Sequence, residues 1–260
     1  MYKARRSIAC SLAILALVTC AFAQAKEYDG LWFMGFTLKH EVFGKQKVRQ
    51  AVNLIIDKEK IATEIISAEV FPAGFIPPGM AGYDPNLKYL SPDIKKAKTL
   101  MKKAGFPIND KRLKELSLLH TDGLKTAAIA ENIRKDLSHL GLKIRLVEVS
   151  YANHEEWVEK LNSGKYDLFL MGYKADIDQL FTDEAKARPT DSATLIEPVF
   201  KTNGNANFSG YRNSKVDAFL EQLSEINPAL RTERHKKLKE INKILYNDLP
   251  VIVLFYIEKL

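Results

Sequence analysis

The chain has 260 residues, 46% of them hydrophobic, with a formal charge of +7. That is material for one large domain or two small ones. Both cysteines, Cys10 and Cys20, fall in an N-terminal leader, which excludes a disulfide or a thiolate metal site from the remainder.

Lys3, Arg5 and Arg6 precede an apolar stretch from Ile8 to Val18 and a small-residue sequence, Ala21-Phe22-Ala23. This is the pattern of a secretory signal peptide cleaved after Ala23, and the apolar stretch is short for a bilayer span. Leu17-Val18-Thr19-Cys20 offers the alternative of a lipid anchor at Cys20, with Thr19 bulkier than such sites favour. A periplasmic or exported protein is expected, with residues 24–260 as a single domain. Removing the leader takes three cations and no acid, leaving 36 basic and 32 acidic residues, a net of +4. The excess is spread along the chain. Lys95-Lys96, Lys102-Lys103 and Arg234-His235-Lys236-Lys237 each lie on a predicted helix and read as solvated faces. No aromatic residues interleave them, so nucleic acid is not expected as a partner.

A short strand is expected within Leu31 to Leu38. Lys45 to Ser67 reads as one helix, with Val48, Ala51, Val52, Ile55 and Ile56 on an apolar stripe. Phe71 to Pro85 is too dense in proline and glycine for a regular element and reads as an extended surface loop. Ser91-Pro92 opens a helix as N-cap and first-turn proline, and Ala104-Gly105 closes it. The middle is the clearest part: a strand over Leu113 to His120, a helix over Leu124 to Leu140 closed by Gly141, and a strand over Leu142 to Val149. A helix over Asn153 to Ser163, closed by Gly164, and a strand over Tyr166 to Tyr173 follow. Strands alternating with such helices predict βαβ crossovers and a largely parallel sheet covered on both faces. Lys174 to Arg212 shows no strong periodicity and reads as a long irregular segment of functional interest. Helices over Ser214 to Ile226 and Pro228 to Asn247, then a strand over Val251 to Tyr256, complete an α/β domain.

Val48-Arg49-Gln50-Ala51-Val52, Asp57-Lys58-Glu59-Lys60-Ile61 and Pro77-Pro78-Gly79…Gly82-Tyr83-Asp84-Pro85 resemble the opening of the second lobe in bacterial extracellular solute-binding proteins of family 5. These are the peptide- and nickel-binding proteins of ABC importers. Four further stretches follow in the family's order: Ser91 to Phe106, Tyr166 to Asp176, Asn207 to Asn213, and Leu249-Pro250-Val251-Ile252. Such proteins are two-lobed clamshells, and the resemblance begins about twenty residues after the leader. It therefore implies the second lobe of a periplasmic-binding-protein-like (type II) fold, with the first lobe absent. It also implies a peptide or related small solute as ligand, an ABC permease complex in the inner membrane as partner, no cofactor, and delivery rather than chemistry.

In peptide-binding members, a segment resembling Gly172-Tyr173-Lys174-Ala175-Asp176 lines the cleft. The resemblance implies that Asp176 meets the α-ammonium of a peptide and that Tyr173, at a place where members commonly carry tryptophan, packs beside it. Residue chemistry reaches the same place, because open α/β sheets bind ligands at the carboxyl ends of strands and a carboxylate makes charge-assisted bonds to ammonium. The alternative is that Asp176 caps a turn. Lys174 stands close enough in sequence to neutralise Asp176. Asn205, Asn207 and Asn213 near Tyr211 carry amides suited either to peptide backbone or to turns. Tyr173, Lys174, Ala175, Asp176, Asn207 and Tyr211 are thus the candidate ligand-binding residues.

The five histidines, His40, His120, His139, His154 and His235, show no metal-ligand spacing. No nucleophile elbow or phosphate loop is present, so neither an enzyme nor a metal site is expected. Trp157 reads as buried against the sheet. Two functions remain: an importer's solute-binding component, or a single-lobe interaction module that pairs with a protein or a separately encoded first lobe. An apolar patch around Tyr173 and Phe208 would favour the second.

Overall fold

The computed structural model describes residues 26–68, 70–175, 192–227 and 229–259. Its organising element is a five-stranded sheet made of β1 (Tyr28–Phe36), β2 (Leu116–Thr121), β3 (Ile144–Val149), β4 (Leu168–Lys174) and β5 (Val251–Glu258). The spatial order is β3-β2-β4-β1-β5. Strands β3, β2 and β4 run parallel, as the alternation of strands and helices requires. The first strand lies between β4 and β5 and runs antiparallel to both, so the sheet is mixed rather than wholly parallel.

Side chains alternate across the strands and feed two cores. Phe36, Leu118, Leu168, Leu170 and Leu254 face one core, covered by α1 (Gln46–Asn53), α3 (Ile94–Lys103) and α4 (Leu124–Ser138). Leu31, Phe33, Leu119, Phe169, Met171 and Val253 face the other, covered by α5 (His154–Asn162), α6 (Ser192–Phe200), α7 (Ser214–Glu225) and α8 (Arg231–Asp248). Trp157 is buried in this second core, as read from the sequence. Among the described residues no helix is long and apolar enough to cross a membrane.

Four local expectations are corrected. The single helix over Lys45 to Ser67 is broken after Asn53 and resumes as α2 (Lys58–Lys60), winding on as a π-helix over Ile61–Ile66. The break is held by Asp57. Its carboxylate accepts from the Lys60 amide at 2.9 Å as an N-cap, and its own amide donates to Asp136 Oδ2 at 3.0 Å. Helix α3 is capped by Asp93, which accepts from the Lys96 amide, rather than by Ser91. The stretch expected to be irregular contains α6, with Pro198 inside its last turn, where it removes one intrahelical bond. β1 extends from Tyr28, three residues ahead of the expected start.

The loop over residues 71–85 has no helix or strand, as its composition predicts, yet it is pinned to α8. Asn242 accepts from the Phe75 amide and donates to the Gly82 carbonyl, while the Gly82 amide donates to His235 Nδ1. Such bonds supply the partners that a loop lacking its own ladder must find.

Gly141 ends α4 with φ +84°, and a Cβ built there would lie 2.1 Å from the Ile108 carbonyl oxygen. Gly141→Ala is therefore expected to cost about 2–3 kcal/mol, more than the roughly 1 kcal/mol of left-handed backbone alone. Thermal denaturation would check this, and a loss below 1 kcal/mol would show that the 108 segment yields freely.

Candidate ligand-binding cleft at the carboxyl ends of the strands

The crossover from β2 to β3 passes through α4 on one face, and that from β3 to β4 through α5 on the other. Strands β3 and β4 flank β2 on opposite sides. The connections therefore diverge between β2 and β4, and a crevice is expected beyond their carboxyl ends.

Tyr173 and Lys174 end β4, paired with Leu31 and Gly30 of β1, and Ala175 follows. The Ala175 amide donates to the Asp29 carbonyl at 2.8 Å, and Lys174 Nζ lies 3.1 Å from Asp29 Oδ2. Lys174 thus has a carboxylate partner other than Asp176. Asp176 itself lies outside the described residues. The other oxygen of Asp29, Oδ1, is buried with no hydrogen-bond partner among the described residues. Sequence reasoning passed over Asp29 because an acid just ahead of an apolar run reads as a strand boundary.

Tyr173 and Ala175 also line a groove of about 580 Å³ together with Thr194, Glu197, Lys201 and Asn205. Cations, a carboxylate and amides beside an aromatic ring can hold a small polar solute in several orientations. At the same end of the sheet, Asp122 links the β2 and β3 loops by accepting from the Tyr151 amide at 2.8 Å and from Ser150 Oγ. Beside it Leu124 and Tyr151 are 94% and 75% exposed, and no sequence signal marked either as a rim residue.

Asn207 and Tyr211 are not brought to this place. Tyr211 Oη donates to Asp248 Oδ2 at 2.5 Å, just ahead of the first residue of β5 and so at the opposite end of the sheet. Burial, with the Asp248 carboxylate, pushes its phenol well above the usual range. The Asn207 amide donates to the Lys201 and Tyr211 carbonyls, and its oxygen accepts from the Tyr211 amide and Ser209 Oγ. Asn213 caps α7 and donates to Asp248. Of the two readings of Asn207 and Asn213, the turn reading fits their bonding, while Asn205 alone of the three borders the groove. Phe208 packs edge-on against Phe169, and both it and Tyr173 are partly buried against the second core.

Among the described residues no cluster of three or more His, Cys, Asp or Glu side chains is placed to hold a metal ion. His40 pairs with Asp167, His120 is buried, and His235 accepts from the loop over α8.

Residues 16–182 match the family described as bacterial extracellular solute-binding proteins, family 5 Middle. The chain belongs to this family. It is 25% identical over 239 residues to the dipeptide-binding protein DppE of Bacillus subtilis, a match covering 87% of this chain and 40% of that protein. It is 24% identical over 224 residues to heme-binding protein A of Haemophilus influenzae, covering 85% of this chain and 38% of that one. The family-5 chain thus spans about two fifths of the length of these relatives. Among solved structures, it resembles HbpA2 of Haemophilus parasuis with a TM-score of 0.74 at 21% identity, covering 90% of this chain and 43% of that one. The murein tripeptide binding protein MppA of Escherichia coli gives a TM-score of 0.74 at 20% identity, covering 90% and 43%. These likenesses fix the fold as that of type II periplasmic binding proteins.

Proposed function

We propose that this chain is a ligand-binding lobe of the substrate-binding component of an ABC importer for peptides or related small solutes. The observation that carries this reading is the position of Tyr173, Lys174 and Ala175 at the carboxyl end of β4, beside the crevice and leading directly to Asp176. Export by a signal peptide cleaved after Ala23, with lipidation at Cys20 as the lesser route, fits such a role. Tyr173 supplies a flat apolar wall, and Asp176 is assigned the ligand's ammonium. Lys174 already has Asp29 as its carboxylate partner, which leaves the ammonium role to the ligand in this reading. Asn207 is left out of this site because its amide serves the turn before α7, and Tyr211 because its hydroxyl is held by Asp248 at the end of α8.

The first test is calorimetry of the protein against a pool of di- to pentapeptides. Saturating heat supports the reading, whereas no heat from protein folded by circular dichroism removes ligand binding by this lobe alone. Asp176→Ala is expected to weaken free peptides by roughly ten- to a hundredfold, the worth of a charge-assisted hydrogen bond, and N-acetylated peptides hardly at all. Equal loss for both would take the ammonium role from Asp176.

A second reading, a lobe that docks on a protein partner or a separate first lobe through the same end of the sheet, is favoured by the exposed Leu124 and Tyr151. In that case Tyr151→Asp should abolish capture of the partner while leaving any peptide heat in place.

A further inference from the structure

Helix α3 stands apart from the other surface helices in its charge. Lys95, Lys96, Lys98, Lys102 and Lys103 give it five cations in ten residues and no acid. All five are exposed, while Ala97 and Met101 bury the inner stripe. Asp93, just ahead of it, is occupied as the N-cap. The helices α4, α5 and α8 instead pair a cation with an acid within their own length, Arg134 with Glu131, Lys160 with Glu156 and Lys243 with Glu240, and Glu197 of α6 pairs with Lys201 just past its end. No such ion pair involves any α3 lysine among the described residues. Helix α1, packed on α3, adds exposed Lys47 and no acid. The five charges of α3 exceed the net +4 of residues 24–260, so the rest of that stretch sums to −1.

A second observation bears on the same helix. Of the five large apolar side chains exposed among the described residues, two flank it: Ile94, its first residue, at 44%, and Ile108, just beyond its end, at 47%. Ile94 shares one helical ridge with Lys98 and Lys102, at i, i+4 and i+8. Cations fanned over the outer half of a helix, with isolated aliphatic side chains at its ends, form the surface of a helix that lies in a lipid headgroup layer. The isoleucines argue for lipid over nucleic acid or an acidic protein, because they gain from the acyl boundary and nothing from a phosphate chain.

We propose that α3 is a docking surface for an anionic phospholipid bilayer, with the five lysines on headgroup phosphates and Ile94 and Ile108 at the acyl boundary. The connection from α3 to β2 lies at the amino end of β2, where Arg112 joins Glu41 of the segment after β1. That is the end of the sheet remote from Tyr173, so docking leaves the candidate cleft uncovered.

The test is cosedimentation of the full chain with phosphatidylcholine vesicles containing about a third phosphatidylglycerol, with pure phosphatidylcholine vesicles reporting whatever residues 8–18 contribute. The unaltered protein should bind the anionic vesicles and release at about 0.5 M salt. Changing Lys95, Lys98 and Lys102 together to Gln should weaken binding roughly a hundredfold. The same change at exposed Lys165, Lys215 and Lys236, on the opposite layer, should cost less than threefold. Ile94→Ser should weaken binding further without changing its salt response. Equal loss from the two triple variants would mean diffuse charge and overturn the proposal. So would binding to anionic vesicles that exceeds that to neutral ones by less than threefold, or tighter binding to heparin than to anionic vesicles. All substituted side chains are exposed, so circular dichroism should be unchanged.

Discussion

Replacing Arg49 with methionine is expected to cost the fold about 3–5 kcal/mol, a large part of the stability of an ordinary domain. The guanidinium is buried and reaches four backbone carbonyls. Nε and Nη2 donate to Asp248 at 3.2 and 2.7 Å, Nε also to Leu249 at 2.9 Å, and Nη1 to Phe43 at 2.9 Å and Gly44 at 3.0 Å. The Asp248 and Leu249 carbonyls belong to the end of α8, where helix geometry leaves oxygens without partners and Leu249 turns left-handed at φ +50°. Burial draws the guanidinium's pKa down, and the Asp248 carboxylate partly restores it. Asp248 in turn holds Tyr211 and Asn213. One side chain thus joins α1, the segment after β1, the end of α8 and the turn before α7. Arg49→Lys should recover only a fraction of the loss, because three donors on one nitrogen cannot span four carbonyls. Urea unfolding with an unchanged slope would measure both variants. A loss below 1 kcal/mol for Arg49→Met would mean that water replaces the arginine without penalty.

Lys58→Met should act in the opposite direction and stabilise the protein by about 1–2 kcal/mol at pH 7. Lys58 is 4% exposed, donates to Asn53 Oδ1 at 2.9 Å and lies 5.0 Å over the Tyr89 ring, and among the described residues no carboxylate pairs with it. Burial alone draws its amine down to about 8 from an ordinary 10.5. That difference corresponds to about 3 kcal/mol borne by the folded state whenever lysine is charged in both states. Methionine makes neither the hydrogen bond to Asn53 nor the cation–π interaction with Tyr89, and this subtracts from the gain. Between pH 8 and 10.5 the unfolded chain still holds a proton that the folded chain has released, so this group makes stability rise with pH in that window. The advantage of Lys58→Met is therefore full below pH 8 and gone above about 10.5. Parallel urea titrations at pH 7, 9 and 10.5 would show it, and a gap that does not change with pH would locate the effect elsewhere. Tyr256, held up by burial, pulls stability down at the alkaline end in both proteins and cancels from the comparison.

The βαβαβ middle was legible because strands and helices alternate there and both helices end in a glycine, Gly141 and Gly164, each of which does adopt positive φ. Direction was not legible in β1. Its nearly continuous apolar run reads the same whichever way a neighbour runs, and pairing with β4 and β5 is settled by residues far along the chain. The break before Lys58 was hidden because half of it depends on Asp136, a partner nearly eighty residues away. Helix α6 was hidden by Pro198 and by an apolar run too short to show its period. In the candidate site, Tyr173 could be placed because a strand end is readable. Asn207 and Tyr211 could not, because an asparagine beside an aromatic looks alike in a turn and in a cleft. The arginine of the Val48 to Val52 run, recognised in the sequence only as part of a resemblance, owes its place to the carbonyls it satisfies.

The position of β1 between β4 and β5 sets a timetable for acquiring the fold. Its residues are made ahead of both its neighbours, and its partners on β5 lie more than 200 residues later. Closing so long a span is entropically slow, and a strand flanked on both sides cannot be zipped until both neighbours exist. Until then Leu31 to Phe36, nearly all buried in the finished sheet, presents two unsatisfied backbone edges to any other nascent strand. A growing chain therefore carries this exposed strand until β5 is made, and a clean fold depends on keeping it unpaired until then.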